Sequence, residues 1–278
     1  MGYEIKLDNV LSTARVGINR AWVFMGLGVN AASIETLTPN VTGASYLKLL
    51  PDEISADSLR EFKTEFRTWV VVKGLEELIE VFGVFLEQLY SMVLFVDAWK
   101  SKGQVDQKQI SQFTEMGIRE KLNILNRNFG IGTAFNDDIV SVNQARHCLT
   151  HRLGIVATRD LNTSSGLKVQ WRTLQLYGHN EDGSEFVPDM ERFEPEGLKK
   201  EPVVFPRGSP AKMRNDPRSK VFPIGSRVVL EPRDLKEICL WFSLLLNELN
   251  ESVIKYCEKS GVHVTRLAGQ TPGATSKS

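Results

Sequence analysis

The chain has 278 residues, with 34 Lys and Arg set against 34 Asp and Glu, a formal net charge of zero, and 42% hydrophobic residues. This is an ordinary globular composition with enough apolar material for a sizeable core. It argues against a protein that coats nucleic acid through bulk positive charge, and leaves room for one local basic cleft.

Cys148, Cys239 and Cys257 are odd in number and form no CxxC pair. They fit free, buried thiols in a reducing compartment better than a disulfide framework. The opening MGYEIKLDNV lacks the basic-then-apolar order of a secretory signal,. Residues 21–32 are apolar but too short to span a bilayer. Residues 75–95 carry Glu76, Glu77, Glu80 and Glu87, which point to an amphipathic helix,. The expected address is the cytoplasm, with no membrane partner.

The first predicted helix covers about residues 5–30, with Leu11, Ala14, Ile18 and Trp22 at helical spacing; Gly26 and Gly28 weaken its far end,. Residues 36–52, with Pro39, Asn40, Gly43 and Pro51, read as a loop,. Ser55 and Asp57 are N-cap candidates for a long periodic run. Its stripe continues from Leu59, Phe62, Phe66 and Val70 to Leu75, Leu78, Phe82, Phe85 and Leu89,. Gly74 marks an expected kink or break. A further helix is predicted over 107–126.

The next helix starts at Asn136-Asp137-Asp138, which supply a cap and early negative charge, and stops at Gly154,. Beyond it the pattern changes. Leu167, Val169 and Trp171 alternate with Lys168, Gln170 and Arg172, as on a half-buried strand, and Asp182-Gly183 signals a hairpin turn,. Prolines crowd residues 188–217 without periodicity, and residues 221–230 look strand-like again. A last helix opens at Pro232, with Leu235, Ile238, Phe242, Leu245, Leu249 and Val253 as its stripe, and ends at Gly261,. The expected architecture is mainly α, an antiparallel helical bundle with a small β-hairpin insertion at about 157–231, before the last helix. An N-terminal helix and loop (1–54) pack on the main domain (55–260), and residues 261–278 form a flexible tail.

The chemistry-bearing segment is Arg146-His147-Cys148-Leu149-Thr150-His151. Arginine and histidine sit beside an apolar helical stripe, and His151 falls in the last turn, where the partial negative charge of a helix C-terminus favours imidazolium. Arg146 and Thr150 share a face, as do His147 and His151. Arg146 and His151, five apart, do not stack. Either the long arginine swings over, or each group meets its counterpart on a second subunit. A structural alternative is an arginine paired with a carboxylate and a histidine capping carbonyls.

This order resembles the HEPN domain superfamily, whose motif is an arginine, a polar residue, three variable residues and a histidine. The Arg152-Leu153-Gly154-Ile155-Val156 that follows is also similar, as is the stretch 222–239, FPIGSRVVLEPRDLKEIC. The resemblance covers about residues 55–260 and implies an all-α fold, homodimerisation and, in many members, RNA cleavage without a metal. It makes Arg146 and His151 catalytic, with His147 and Thr150 in support. His151 would move a proton to or from the ribose 2′-hydroxyl or the leaving 5′-oxygen, and Arg146 would stabilise the phosphate oxygens. The product would carry a 2′,3′-cyclic phosphate, and DNA would resist. The expected partners are RNA, a second copy of the chain and an antitoxin or regulatory protein, in a toxin or defence setting. The alternatives are a non-catalytic HEPN-like module for dimerisation, nucleotide or partner binding, and a helical scaffold.

No cofactor is expected. His147 and His151 make HxxxH, which can ligate zinc, but no glutamate lies between them and the cysteines lack ligand spacing,. Lys199, Lys200, Arg207, Lys212, Arg214, Arg218 and Lys220 suggest a basic flap over phosphates, although a solvated loop explains them more simply. Trp171 and Tyr177 are either base-stacking groups or sheet packing. Glu76, Glu77 and Glu80 are either acid/base partners of the motif or a solvated helix face.

Overall fold

A computed structural model describes residues 7–33, 55–188 and 212–264. Helix α1 (Leu7–Ser33) buries Leu11, Ala14, Ile18, Ala21 and Met25, three or four residues apart, as its periodicity requires,. Gly26 and Gly28 do not end it. Gly28 lies against Val70, where an added Cβ would come within 2.6 Å of both valine methyls.

Helix α2 (Ala56–Ser101) runs unbroken for 46 residues. Ser55 caps it, its Oγ accepting from the Ser58 N–H at 3.1 Å,. The break expected at Gly74 is absent. The glycine instead admits α1, since a Cβ there would fall 2.0 Å from Met25 Cγ,. Gly17 meets Val81 while Gly28 meets Val70, so the two helices pack antiparallel. Among the described residues α2 is the one helix long and apolar enough to cross a membrane, and 50% of its most apolar window is buried inside the fold.

The helix predicted over 107–126 is two helices. Asp106 caps α3 (Gln107–Thr114) through Oδ1, which accepts from the Lys108 N–H at 2.9 Å. The chain breaks before α4 (Ile118–Phe129) at Gly117, whose extended ψ of 161° stands outside either helix. Glycine is the residue that loses most by being held helical, proline aside. Helix α5 (Asn136–Arg152) has Asp137 and Asp138 in its first turn as expected, but Phe135 occupies the cap position with no side-chain cap bond. Helix α6 (Pro232–Lys259) begins at its proline. Asp234 Oδ2 accepts from the Glu231 N–H at 2.7 Å, and the predicted stripe is buried.

The β region is larger than a hairpin. Strands β1 (Leu167–His179), β2 (Glu185–Phe186) and β3 (Lys212–Phe222) form an antiparallel sheet in the order β2-β1-β3. Leu167, Val169 and Trp171 are buried in alternation, and the Asp182-Gly183 turn forms, with Gly183 at φ 82°. β3 begins inside the proline-crowded stretch. Pro217 pairs with Arg172 and is tolerated because β3 is an edge strand,. The strand expected over 221–230 ends at Phe222, after which the chain turns, the Ser226 N–H donating to Pro223 O at 3.0 Å.

β1 packs on both α5 and α6, so the sheet is a wall of the core. Trp171 belongs to that wall: it is buried, and its Nε1 donates to Glu237 Oε2 at 2.8 Å. Tyr177 lies beneath the Arg214 guanidinium, 4.9 Å from its carbon. The expected loop at 36–52, the prolines and basic residues of 189–211 and the tail from 265 lie outside the described residues. On β3, Arg214 is held by Glu185 and Asp216, and Lys220 by Asp234.

Candidate functional site

α5 turns Ile139, Val142, Ala145, Cys148 and Leu149 into the core. That leaves His147 and His151 exposed on the opposite side, with Arg146 and Thr150 half-buried along the edge between. The helix ends through Leu153 (φ 52°) and Gly154 (φ 79°), both left-handed, with the Gly154 N–H donating to Cys148 O at 3.1 Å,. Residues beyond the tip are clamped to the β3–α6 connection. Val228 N–H donates to Gly154 O at 2.8 Å, and Val156 N–H to Ser226 O at 3.0 Å.

A second anchor fixes the last turn. Arg152 donates from Nε to Asp160 Oδ2 at 2.7 Å, and its Nη2 donates to Oδ1. Asp160 Oδ2 also accepts from the Ala157 N–H at 2.9 Å. Arg152, next in chain to His151, is therefore a structural arginine; Arg146 is not bound in this way.

Arg146 Nη1 lies 3.5 Å from His147 Nδ1. The His147 and His151 rings stack with centroids 5.7 Å apart at 20°. Among the described residues no hydrogen bond joins Arg146 to His151, so His147 stands as the intermediary. Arg146 Nε and Thr150 Oγ1 are buried without a partner, as is Asn143 Oδ1. These three residues follow one another along a single edge of α5. Among the described residues, Arg146 and His151 make neither the carboxylate pair nor the carbonyl cap of the structural alternative.

The loss of solvent around its ring, and then the charges of Arg146, His151 and Arg152, hold the His147 pKa below 6.5; Asp160 acts in the opposite direction,. Neutral His147 can accept from Arg146. The linkage has a definite sign. The unfolded chain takes up the proton first, so His147 contributes stability above 6.5 that is lost as pH falls toward the lower folded value,. Denaturant titrations at successively lower pH should therefore show the wild type losing stability faster than His147→Gln. Parallel pH curves would show that the ring is not under this strain. Burial, and then Asp160, push the Cys148 thiol up, which makes it a packing residue and not a nucleophile,.

Sequence reading left Glu76, Glu77 and Glu80 together, and the structure separates them. Glu77 pairs with Arg20 of α1, its Oε1 accepting from Nε at 2.9 Å. Glu80 is exposed. Glu76 alone reaches the motif. Lys73 Nζ donates to its Oε2 at 2.7 Å, and that bond, with the charges of Lys73, Arg146 and His151, lowers its pKa against the effect of burial. Helical spacing within α2 could not reveal this, because the link runs between α2 and α5. No group of three or more His, Cys, Asp or Glu among the described residues could hold a metal ion, so HxxxH stays without further ligands,. No protein-family model, curated protein or solved structure matches the chain.

Proposed function

We propose that the chain is a HEPN-type, metal-independent RNA endonuclease in which Arg146 and His151 are catalytic and His147 and Thr150 support them. The observation that carries this reading is an exposed imidazole at an anchored helix tip, on the same helix end as a guanidinium that, among the described residues, has no carboxylate hydrogen-bond partner. A guanidinium with unspent donors is a ready receptor for phosphate oxygens. His151 moves a proton between the ribose 2′-hydroxyl or 5′-oxygen and solvent. The adjacent 2′-hydroxyl attacks phosphorus, the 5′-oxygen leaves, and one strand end retains a 2′,3′-cyclic phosphate. No activated water enters this step.

The test is incubation of RNA with purified protein in excess chelator, with analysis of the product ends. Cyclic phosphate termini on RNA and intact DNA support the reading. Cleavage that stops with chelator would point to metal chemistry, and tight nucleotide or protein binding without cleavage to a non-catalytic module of the same fold. An antitoxin or regulatory partner in a defence setting remains part of the same proposal.

A second copy of the chain is proposed as the partner that completes the site. Phe62, Phe66 and Trp69 stand exposed on the first turns of α2, with Trp69 58% accessible and the Phe66 and Trp69 rings stacked at 6.2 Å. Leu153, 76% accessible at the α5 tip, and Val229 lie nearby: Arg227 donates to Leu153 O and faces Glu65, and Arg67 pairs with Glu231. The cations here already have acidic partners, so the surface is apolar and close to neutral, as a self-complementary interface requires. Trp69→Glu should shift the chain from dimer to monomer in analytical ultracentrifugation and reduce cleavage with it. A wild type that sediments as a monomer at all concentrations would remove the dimer from the mechanism.

A further inference from the structure

Where α2 packs on α5, Glu76 is hydrogen-bonded by Lys73 at 2.7 Å and feels the positive charges of Arg146 and His151. The other nearby carboxylate, Asp160, is committed to Arg152 and to the Ala157 N–H. Glu76 is half-buried and takes its hydrogen bond from Lys73, yet it lies within electrostatic reach of Arg146 and His151. Arg146 Nε and Thr150 Oγ1 remain buried without partners on the same edge. Among the described residues the group thus has more donors than Glu76 can satisfy, and that acid is bonded to the one lysine,.

We propose that Glu76 is a positioning residue that competes with phosphate for Arg146 and His151, and that Lys73, released from it, becomes a third cation on the bound phosphodiester. This rests on reading Arg146 and His151 as a phosphate site. The resting carboxylate keeps the cations apart from one another's repulsion and the motif in register. An incoming phosphate offers more acceptor oxygens to the same donors, so Glu76 turns to solvent and Lys73 turns to the ligand. Affinity for anions is thereby held down until a substrate with further contacts arrives, which favours a long polyanion over free phosphate.

The experiment titrates inorganic phosphate into the full-length chain and follows the His147 and His151 imidazole signals by NMR. Glu76→Gln should bind phosphate roughly 1.5- to fivefold more tightly than wild type, the range for removing one partly exposed charge. Lys73→Gln should bind it more weakly, and this variant carries the test if Glu76→Gln does not fold. Unchanged or weaker binding by folded Glu76→Gln overturns the proposal, as does phosphate that shifts neither histidine in any variant. The two readings fail separately. Tighter phosphate binding in Glu76→Gln with no RNA cleavage by wild type sinks the nuclease and keeps the competing acid. Normal cleavage with unaltered phosphate affinity does the reverse.

Discussion

His151→Ala should lower RNA cleavage by about 10²–10⁴-fold, the contribution of one positioned proton-transfer group. Arg146→Ala should lower it by about 10²–10³-fold, the cost of losing one preorganised donor to developing charge. Neither loss should come from unfolding. His151 is exposed, and among the described residues Arg146 makes one side-chain hydrogen-bonding contact, with His147 at 3.5 Å, while its Nε is unsatisfied. Melting temperatures should stay close to that of wild type. Because both groups act on the same phosphodiester, the double variant should fall little below the worse single one. Arg146→Lys keeps the charge but not the planar fork, and should recover only part of the activity. Cleavage that survives both alanine substitutions would remove the assigned site.

The helical order was readable because the signals were local. The stripe of α6, the Pro232 start and the Leu167-Val169-Trp171 alternation each depend on neighbours in sequence, and each is found. Two of the errors share a different cause. Gly74 looks like a break when α2 is considered alone; Met25 of another helix supplies the reason for the glycine. Pro217 looks incompatible with a strand until the sheet order puts β3 at an edge. The same limit applies at the motif. The spacing of Arg146, His147 and His151 on one helix was legible, including the failure of Arg146 to stack on His151. That Arg152 is tied to Asp160, while Arg146 is left with spare donors and Glu76 nearby, follows from packing between elements.

Arg152→Met should destabilise the fold by about 3–5 kcal/mol, as expected when a buried ion pair loses one member. The side chains of Arg152 and Asp160 are only 15% and 4% exposed. Without the arginine, the carboxylate stays in the interior as an unpaired charge, held by the Ala157 N–H. Asp160→Asn alone should cost less, because its side-chain oxygen can still accept from Ala157. The double variant Arg152→Met, Asp160→Asn removes both charges and keeps that acceptor, so much of the lost stability should return in chemical denaturation. This pair also separates anchoring from catalysis. The turn it fixes is the one that carries His151, so Arg152→Met should depress cleavage through a displaced imidazole, and the double variant should regain activity in proportion to stability. Were the double variant as stable as wild type but still inactive, Arg152 itself would have to contact the substrate, and the division of labour between the two arginines would need to be redrawn.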